Sequence, residues 1–362
     1  MNITQMPDKS KKREKGATVG GPDENVGGLK QLAKLLKLST STLSLVLNDA
    51  PSAVSIPQET KDRIFAAAKE LNYRPNYLAR SLRVQRTHTF GVIVPELSDG
   101  YSSMVLNGVE SILTGAGYFF LTASHLNRTD LREKLLRLMM ERQVEGLIAV
   151  NTPIRSRSNL PVVSVSGHEE INGVTNVVLN HITAAELGIG HLYDLGHRRI
   201  AVFKGQEFSS DTEIRWAPIS QAAKRRGIEI DSRLIVQLEG DSTSPEPGYN
   251  AAKALLERGV DFTALFAFND ISAIGAIRAL QETGRCVPED VSVLGFDDIY
   301  AAAFNSPRLT TIRQPLLKMG ILAAEALLEM LGNGVDPDRP HVLTVEPDLV
   351  LRNSTASVRT SE

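Results

Sequence analysis

Residues 29–48 read LKQLAKLLKLSTSTLSLVLN, and this stretch holds two apolar patterns on either side of a short polar break. The apolar residues of both halves recur at the spacing of a helical face: Leu29, Leu32, Ala33 and Leu36, then Leu43, Val46 and Leu47. Two helices of about eight residues joined by a turn of about three residues have the spacing of a helix-turn-helix unit. The stretch therefore predicts a small all-α head.

The residues that follow complete this head, which we assign to residues 27–75. After a polar loop, Ser55 and Gln58 have the spacing of a capping box, so a third helix is expected to begin there. This helix runs to about Leu71. Its predicted apolar face consists of Ile64, Phe65, Ala68 and Leu71. Three short helices can enclose one small core.

Residues 76–89 are predicted to be a separate linker with a short helix. Asn76 can cap this helix, which carries one set of apolar and one set of basic side chains: Leu78, Ala79 and Leu82, with Arg80, Arg83 and Arg86 around them. A helix this short is unstable alone in water. We therefore expect it to become ordered only when something binds it.

From Phe90 onward, short apolar strand patterns alternate with helical ones in two successive rounds. This alternation is typical of parallel sheets that helices cover on both faces. The predicted fold class is thus an all-α helix-turn-helix head followed by an α/β core of two Rossmann-like lobes. Ligands are expected at the carboxyl ends of the strands, in the cleft between the lobes.

Charge separates the head from the rest of the chain. Residues 27–90 carry ten Lys and Arg against four Asp and Glu, whereas the whole chain has a net charge of −2. A basic head on an acidic body predicts that only the head meets a polyanion such as DNA. Residues 1–26 are polar, with almost no apolar pattern, and are predicted to be a disordered tail.

The bulk composition predicts a soluble cytoplasmic protein with no membrane partner. Its hydrophobic fraction of 42% and charged fraction of 23% are ordinary for a globular protein. No apolar run approaches the roughly 20 residues that span a bilayer, and the polar N-terminus has no apolar signal core. The lone Cys286 excludes an intramolecular disulfide and a cysteine-rich metal site. No cofactor and no metal are expected.

Several motifs resemble the lactose/galactose repressor (LacI/GalR) family of bacterial transcription factors over about residues 29–354. They follow one another as LKQLAKLLKLSTSTLSLVLN, ETKDRIFAAAKELNYRPNYLARSLR, TFGVIVPELS, VEGLI, LGHRRIAV, FAFNDISAIGAIRAL, VPEDVSVLGFDD and LTTIRQP. The resemblance implies a periplasmic-binding-protein-like core. Its N-lobe would comprise about residues 90–179 and 315–342, and its C-lobe about residues 180–312 and 343–356.

For the head, the resemblance implies that helix two lies on DNA. Thr40, Ser41 and Leu45 would face base edges, and the phosphates would be held by Ser39, Thr42, Ser44 and Asn48. Hydroxyl groups suit phosphate contact at the start of a helix. Most relatives have Arg at the position of Leu45; arginine reads guanine with two hydrogen bonds, and leucine cannot. The alternative is that Ser39 only caps the helix.

For the linker, the resemblance implies a hinge helix. Leu82 would enter the minor groove as an apolar wedge, while Arg80 and Arg83 would contact the backbone. The remaining residues expected at the DNA are Tyr73, Asn76, Leu78 and Ala79. The alternative is a solvated linker in which Leu82 is buried.

The resemblance also implies an effector site in the cleft. Its candidate residues are Leu97, Asp99, Tyr101, Ser166, Asn180, Arg215, Trp216, Ser242, Phe268, Asn269 and Asp297. Ser166, Asn180 and Ser242 depart from the common pattern, in which acidic or aromatic residues occupy these positions. We expect a sugar or sugar derivative as the effector. One alternative is that Trp216 and Phe268 are simply core residues, and another is a repressor without a small-molecule effector.

Taken together, these features predict a regulator, most simply a repressor, that binds a pseudo-palindromic operator as a homodimer under allosteric control. The histidines have no HExxH spacing, and GIG at 188–190 lacks the strand-turn-helix context of a dinucleotide site, so no enzyme is predicted. A sugar-binding module without a DNA role would have a signal peptide and no basic head. Activation in place of repression remains an open alternative.

Overall fold

The computed structural model describes residues 28–48, 51–73, 81, 85–98, 100–155, 157–240, 243–333 and 341–358. The chain divides into two compact units, with the boundary between Arg86 and Thr87. No helix in the described ranges combines the length and the apolar character needed to cross a bilayer.

The first unit is a helical head. Its elements are α1 (Leu29–Leu36), α2 (Thr40–Leu47), a 3-10 turn (Pro51–Ser55) and α3 (Gln58–Glu70). Lys37 has a positive φ of 53° and ends α1, and the Leu38 N–H donates to Ala33 O at 3.1 Å, a helix-terminating arrangement that turns the chain toward α2. Leu32, Leu43 and Ile64 are fully buried and join the three helices in one core.

Two details of the head differ from the sequence prediction. The N-cap of α3 is Pro57, and the Ser55 hydroxyl donates to Ser52 O at 3.0 Å, so Ser55 and Gln58 form no capping box. The chain uses the serine to close the preceding 3-10 turn. Phe65, expected on the apolar face of α3, is 50% exposed because Ile64, Ala67 and Ala68 already fill the small core.

The second unit contains two six-stranded sheets, each within its own lobe. In the first lobe the strands follow the order β11-β5-β4-β3-β1-β2. They are β1 (Thr89–Val94), β2 (Phe119–Ser124), β3 (Leu147–Val150), β4 (Val162–Val165), β5 (Val174–Leu179) and β11 (His341–Val345). The helices of this lobe are α4 (Gly100–Gly115), α5 (Thr129–Glu141) and α11 (Leu316–Asn333).

In the second lobe the strands follow the order β12-β10-β9-β8-β6-β7. They are β6 (Ile200–Lys204), β7 (Ile235–Gln237), β8 (Ala264–Phe266), β9 (Ser292–Asp297), β10 (Thr310–Arg313) and β12 (Asp348–Val350). The helices are α6 (His181–Asp194), α7 (Asp211–Arg225), α8 (Glu246–Glu257), α9 (Asp270–Glu282) and α10 (Tyr300–Phe304), with a 3-10 turn at Ser232–Leu234. Only β12 pairs antiparallel, with β10, among the described strands.

The chain passes between the lobes three times, at residues 180, 314–315 and 346–347. Residues 343–345, predicted to belong to the C-lobe, lie in β11 and pair with β5 of the first lobe. The parallel pairing with β5 continues to Val345, which is buried, so the crossing follows that residue. One cluster of buried apolar side chains includes residues of both lobes, among them Phe90 of the first lobe and Ile312 of the second.

Close helix contacts depend on glycine. A Cβ on Gly320 of α11 would lie 2.0 Å from Val105 O of α4, and one on Gly108 of α4 would lie 2.1 Å from Leu317 O. The two backbones therefore pack directly on each other. This contact fixes α11, which enters the first lobe after the second crossing.

Candidate functional site

The surface of α2 carries the hydroxyl groups predicted at the DNA. Thr40 and Ser41 are exposed, whereas Leu43 and Val46 of the same helix are buried in the head. Ser39 caps α2: its Oγ accepts the Thr42 N–H at 3.0 Å and shares a 2.8 Å hydrogen bond with Thr42 Oγ1. The start of α2 thus presents hydroxyls and helix N–H groups at the surface, an arrangement suited to phosphate.

Four other predicted contacts are less accessible. Ser44 is buried. Asn48 Nδ2 donates to the backbone oxygen of Ser44 at 2.7 Å and to Ser44 Oγ at 3.2 Å. Leu45 and Tyr73 are half-buried and pack against the head core, and burial raises the pKa of Tyr73. The remaining predicted DNA contacts lie outside the described residues: Asn76, Leu78, Ala79, Arg80, Leu82 and Arg83.

A cavity of about 320 Å³ lies at the carboxyl ends of strands from both sheets, where the sequence predicted a cleft site. The first lobe lines it with residues that follow β1, β2 and β3: Pro95, His125, Asn127, Thr129, Arg132, Asn151, Pro153 and Arg155. The second lobe contributes residues after β6, β7 and β8: Gln206 to Ser210, Leu238, Thr243, Ser244, Pro247, Phe268, Asn269, Ile271 and Ser272.

Of the eleven effector candidates, Phe268 and Asn269 line this cavity. Asn269 caps α9, with its Oδ1 accepting the Ser272 N–H at 2.9 Å. Asp99 and Ser242 lie outside the described residues. Leu97 is exposed and is not part of the cavity lining.

Arg215 lies outside the cavity lining, in a buried network of charges. Its Nη2 donates to Asp211 Oδ2 at 2.9 Å, and its Nη1 donates to Phe268 O at 2.7 Å and lies 3.5 Å from Asp297 Oδ1. Burial alone would raise the pKa of Asp211, but Arg215 and a hydrogen bond from His168 lower it well below its usual value. Both charged partners of the arginine are residues of this chain, so its expected role in gripping a ligand stays a prediction.

Rings and polar groups complete the surroundings of Arg215. The guanidinium lies 4.6 Å from the ring centroid of Phe268 and 4.2 Å from that of Phe296. Asp297 also accepts from Gln314 Nε2 at 2.6 Å, at the second lobe crossing. Its neighbour Asp298 pairs instead with Arg313 and Arg352, so the two adjacent carboxylates serve separate contacts.

The remaining candidates serve contacts between and within the lobes. Tyr101 and Ser166 share a buried hydrogen bond of 2.5 Å between their hydroxyls. Asn180 caps α6 and donates to both carboxylate oxygens of Glu346 at 3.1 Å, which joins the first and third crossings. Trp216 is half-buried beside the core cluster, as the alternative core interpretation expected.

A cluster of His168, His181 and Asp211 brings three possible metal ligands within 4.8 Å of one another. No sequence spacing indicated this cluster, because each residue follows or begins a different element. Asp211 already pairs with Arg215 and with His168 Nε2, the latter at 2.5 Å. A divalent cation there would lie beside a fixed guanidinium charge, so the geometry favours an internal ion pair over a metal centre.

Several residues of the cavity were not predicted from the sequence, including His125, Arg132, Asn151 and Arg155. They follow β2 and β3 of the first lobe, and their position after predicted strands was the available signal. Arg132 lies in an amphipathic helix, where an arginine is ordinarily solvated, so the residue type alone does not predict that it is buried.

Comparison with known proteins places both units in one family. The model for bacterial regulatory proteins of the lacI family matches residues 28–76, and that for a periplasmic binding protein-like domain matches residues 189–355. The HTH-type transcriptional repressor PurR of Haemophilus influenzae is 31% identical over 340 residues, which cover 91% of this chain and 99% of that protein. PurR of Aliivibrio fischeri is 31% identical over 338 residues, covering 90% and 97%.

Solved structures agree with this assignment. The Lac repressor dimer bound to operator and the anti-inducer ONPF has a TM-score of 0.79 at 25% identity, covering 91% of this chain and 99% of that one. The complex of the transcriptional regulator CelR with cellobiose has a TM-score of 0.66 at 26% identity, covering 90% and 99%. These similarities confirm the predicted fold class, and the relatives are transcriptional regulators, among them the PurR and Lac repressors, and not enzymes. The chain belongs to the lacI family of bacterial regulatory proteins and is a DNA-binding transcriptional regulator.

Proposed function

We propose that the protein represses transcription as a homodimer on a pseudo-palindromic operator, and that a sugar or sugar derivative in the interlobe cleft controls this binding. The observation that carries the DNA part is the exposed hydroxyl surface at the start of α2, formed by Thr40 and Ser41 beside the Ser39 cap. Its side chains can donate to phosphates and base edges without a charge. Two such heads in a dimer would read two half-sites.

The cavity supports the effector part of the proposal. Residues from both lobes line it, so a bound molecule would contact both and favour one arrangement of the lobes over others. The CelR relative is described in complex with cellobiose, which agrees with a sugar or sugar derivative. Because the bacterial chromosome lies in the cytoplasm, we propose that the protein acts there.

The linker would couple the two sites. We propose that residues 76–89 form a hinge helix on the operator, with Leu82 as the wedge, and that effector binding disfavours its ordering. The charge distribution supports contact with DNA here, since Arg80, Arg83 and Arg86 follow one another at short intervals.

Light scattering of the protein mixed with a selected operator tests the assembly. We expect two chains per full operator, and much weaker binding to a single half-site duplex. A reporter fused to the promoter beside that operator should become more active when the gene for this protein is deleted. One chain per duplex would refute the dimer, and lower reporter activity after deletion would indicate activation.

A further inference from the structure

The cleft contains a buried arginine that the proposed function does not use. Two arginines are buried among the described residues, Arg215 at 5% exposure and Arg132 at 8%. Arg215 is neutralised by Asp211 and Asp297. Arg132 lines the cavity, and its guanidinium makes no hydrogen bond or ion pair with the part of the chain that the structure describes.

A buried charge without a partner is costly, so the surroundings of Arg132 are informative. Its backbone N–H bonds to Arg128 O, the N-cap of α5, at 3.0 Å, so the backbone of Arg132 is engaged in the first turn of the helix. His125 lies close enough for the arginine to influence it: burial, and then the Arg132 charge, lower the pKa of His125 to about 4. The histidine is therefore neutral near pH 7 and does not neutralise or oppose a bound anion.

A second cation, Arg155, lines the same cavity and also has no ion pair in the described ranges. Glu207, which is exposed, is the only carboxylate among the described lining residues. Arg132 and Arg155 also line a groove of the first lobe, of about 460 Å³, so the two cations lie where cleft and groove meet.

Helix ends add to this positive character. The lining includes Thr129, the first residue of α5, and Ile271 and Ser272 in the first turn of α9. The N-terminal ends of such helices carry a partial positive charge that favours anions. Meanwhile Asp211 and Asp297, the carboxylates nearest to the expected sugar-contacting arginine, are engaged by Arg215 and Gln314.

We infer that the ligand of the cleft is a small organic anion, a sugar derivative that carries a phosphate or carboxylate group held by Arg132 with help from Arg155. Phosphate and carboxylate present the same chemistry to a guanidinium, two oxygens that accept a fork of N–H donors. This inference rests on the proposed effector function and narrows its ligand class.

The test compares matched ligands on the full-length protein. Melting temperatures are measured with hexoses, with their hexose phosphates and hexonates, and with inorganic phosphate, all at equal ionic strength. We expect a concentration-dependent rise with charged members, larger for one of them, and none with their neutral parents. The phosphate and carboxylate arms of the panel distinguish the two sources of charge.

Variants tie the effect to the site. Arg132→Gln should weaken the binding of the best anion by roughly tenfold or more, and Arg132→Lys by less. Arg128→Gln is the matched control, because Arg128 lies on the exposed end of the same segment, pairs with Asp130 and does not line the cavity. The melting temperature of each variant without ligand shows that it folds.

Three outcomes of the ligand measurements overturn the inference: equal stabilisation by neutral parents, no stabilisation by any anion including inorganic phosphate, or unchanged affinity in Arg132→Gln. Operator binding is measured in parallel, so that failure of the anion inference can be distinguished from failure of the proposed function. Release of the operator by a neutral sugar would be compatible with the proposed function but would refute the inference that the ligand is an anion. Failure to bind any DNA would refute the proposed function whatever the cleft binds.

Discussion

His168 Nε2 of the first lobe lies 2.5 Å from Asp211 Oδ1 of the second lobe, and the ionised carboxylate accepts this hydrogen bond. The same carboxylate accepts from Arg215, so one buried aspartate joins the two lobes and neutralises the buried arginine. A second contact between the lobes runs from Thr243 Oγ1 to Glu96 Oε2 at 2.5 Å. The two lobes are therefore linked by polar contacts at Asp211 and at Thr243, one of the residues that line the cavity.

We predict that Asp211→Asn destabilises the two-lobed unit by about 3–5 kcal/mol, because it leaves the buried arginine with one carboxylate partner among the described residues, Asp297 at the longer distance of 3.5 Å. Urea unfolding at pH 7 measures this free energy. Asp130→Asn, which breaks the exposed pair with Arg128, is the control and should change little. Equal midpoints for both variants would mean that the buried network contributes nothing to stability.

Acid should destabilise the protein partly through His125. Its pKa is lowered from 6.5 to about 4, so between these values the unfolded chain binds a proton that the folded chain does not. The contribution of His125 to the free energy of unfolding is therefore fully present above about pH 6.5. It is lost as the pH falls toward 4, and the loss is on the order of 1–3 kcal/mol.

The check is urea unfolding of wild type and His125→Gln across this pH range. The variant should show a shallower loss of stability, whereas the exposed His341→Gln should behave as wild type. If the free energy of unfolding fell equally with pH in wild type and His125→Gln, another group would be the cause of the acid sensitivity.

The contact between α4 and α11 predicts opposite effects for two alanines in one helix. Gly320→Ala places a Cβ 2.0 Å from Val105 O and should cost about 1–3 kcal/mol or more, because backbone has to move. Gly332→Ala meets nothing within 4 Å and should stabilise α11 by up to about 1 kcal/mol. Thermal unfolding of both variants measures the difference, and a destabilised Gly332→Ala would contradict this packing account.

The position of α2 and its start were predictable from the sequence, because Leu43 and Val46 have helical spacing and Ser39 is a strong N-cap. The position of the cleft was predictable as well, since parallel strands end at a common edge. The contacts of Arg215 were not foreseen, although Asp211 precedes it by one helical turn, because a resemblance to ligand-binding relatives carries no information about which partner a charge meets. Arg132 was missed for a related reason: burial of a single charge depends on packing that periodicity does not describe.

Leu45→Arg should change operator preference at one base pair per half-site, by about 1–3 kcal/mol, since arginine reads guanine and leucine does not. Leu45 is half-buried against the head core, so Leu45→Met, which keeps an apolar side chain, is the control for folding and packing. Binding-site selection with both variants gives the consensus sequences. An identical consensus for wild type and Leu45→Arg would exclude Leu45 as a reading residue.

We expect the hydroxyl surface of α2 to bind a specific two-fold operator. Selection from a random duplex library with the full-length protein tests it most directly, with the Thr40→Ala/Ser41→Ala double variant alongside. We predict that wild type enriches a pseudo-palindrome whose half-sites are symmetric, and that the double variant, although folded, loses that enrichment. Equal enrichment by the double variant, or a wild-type product without two-fold symmetry, would contradict the account.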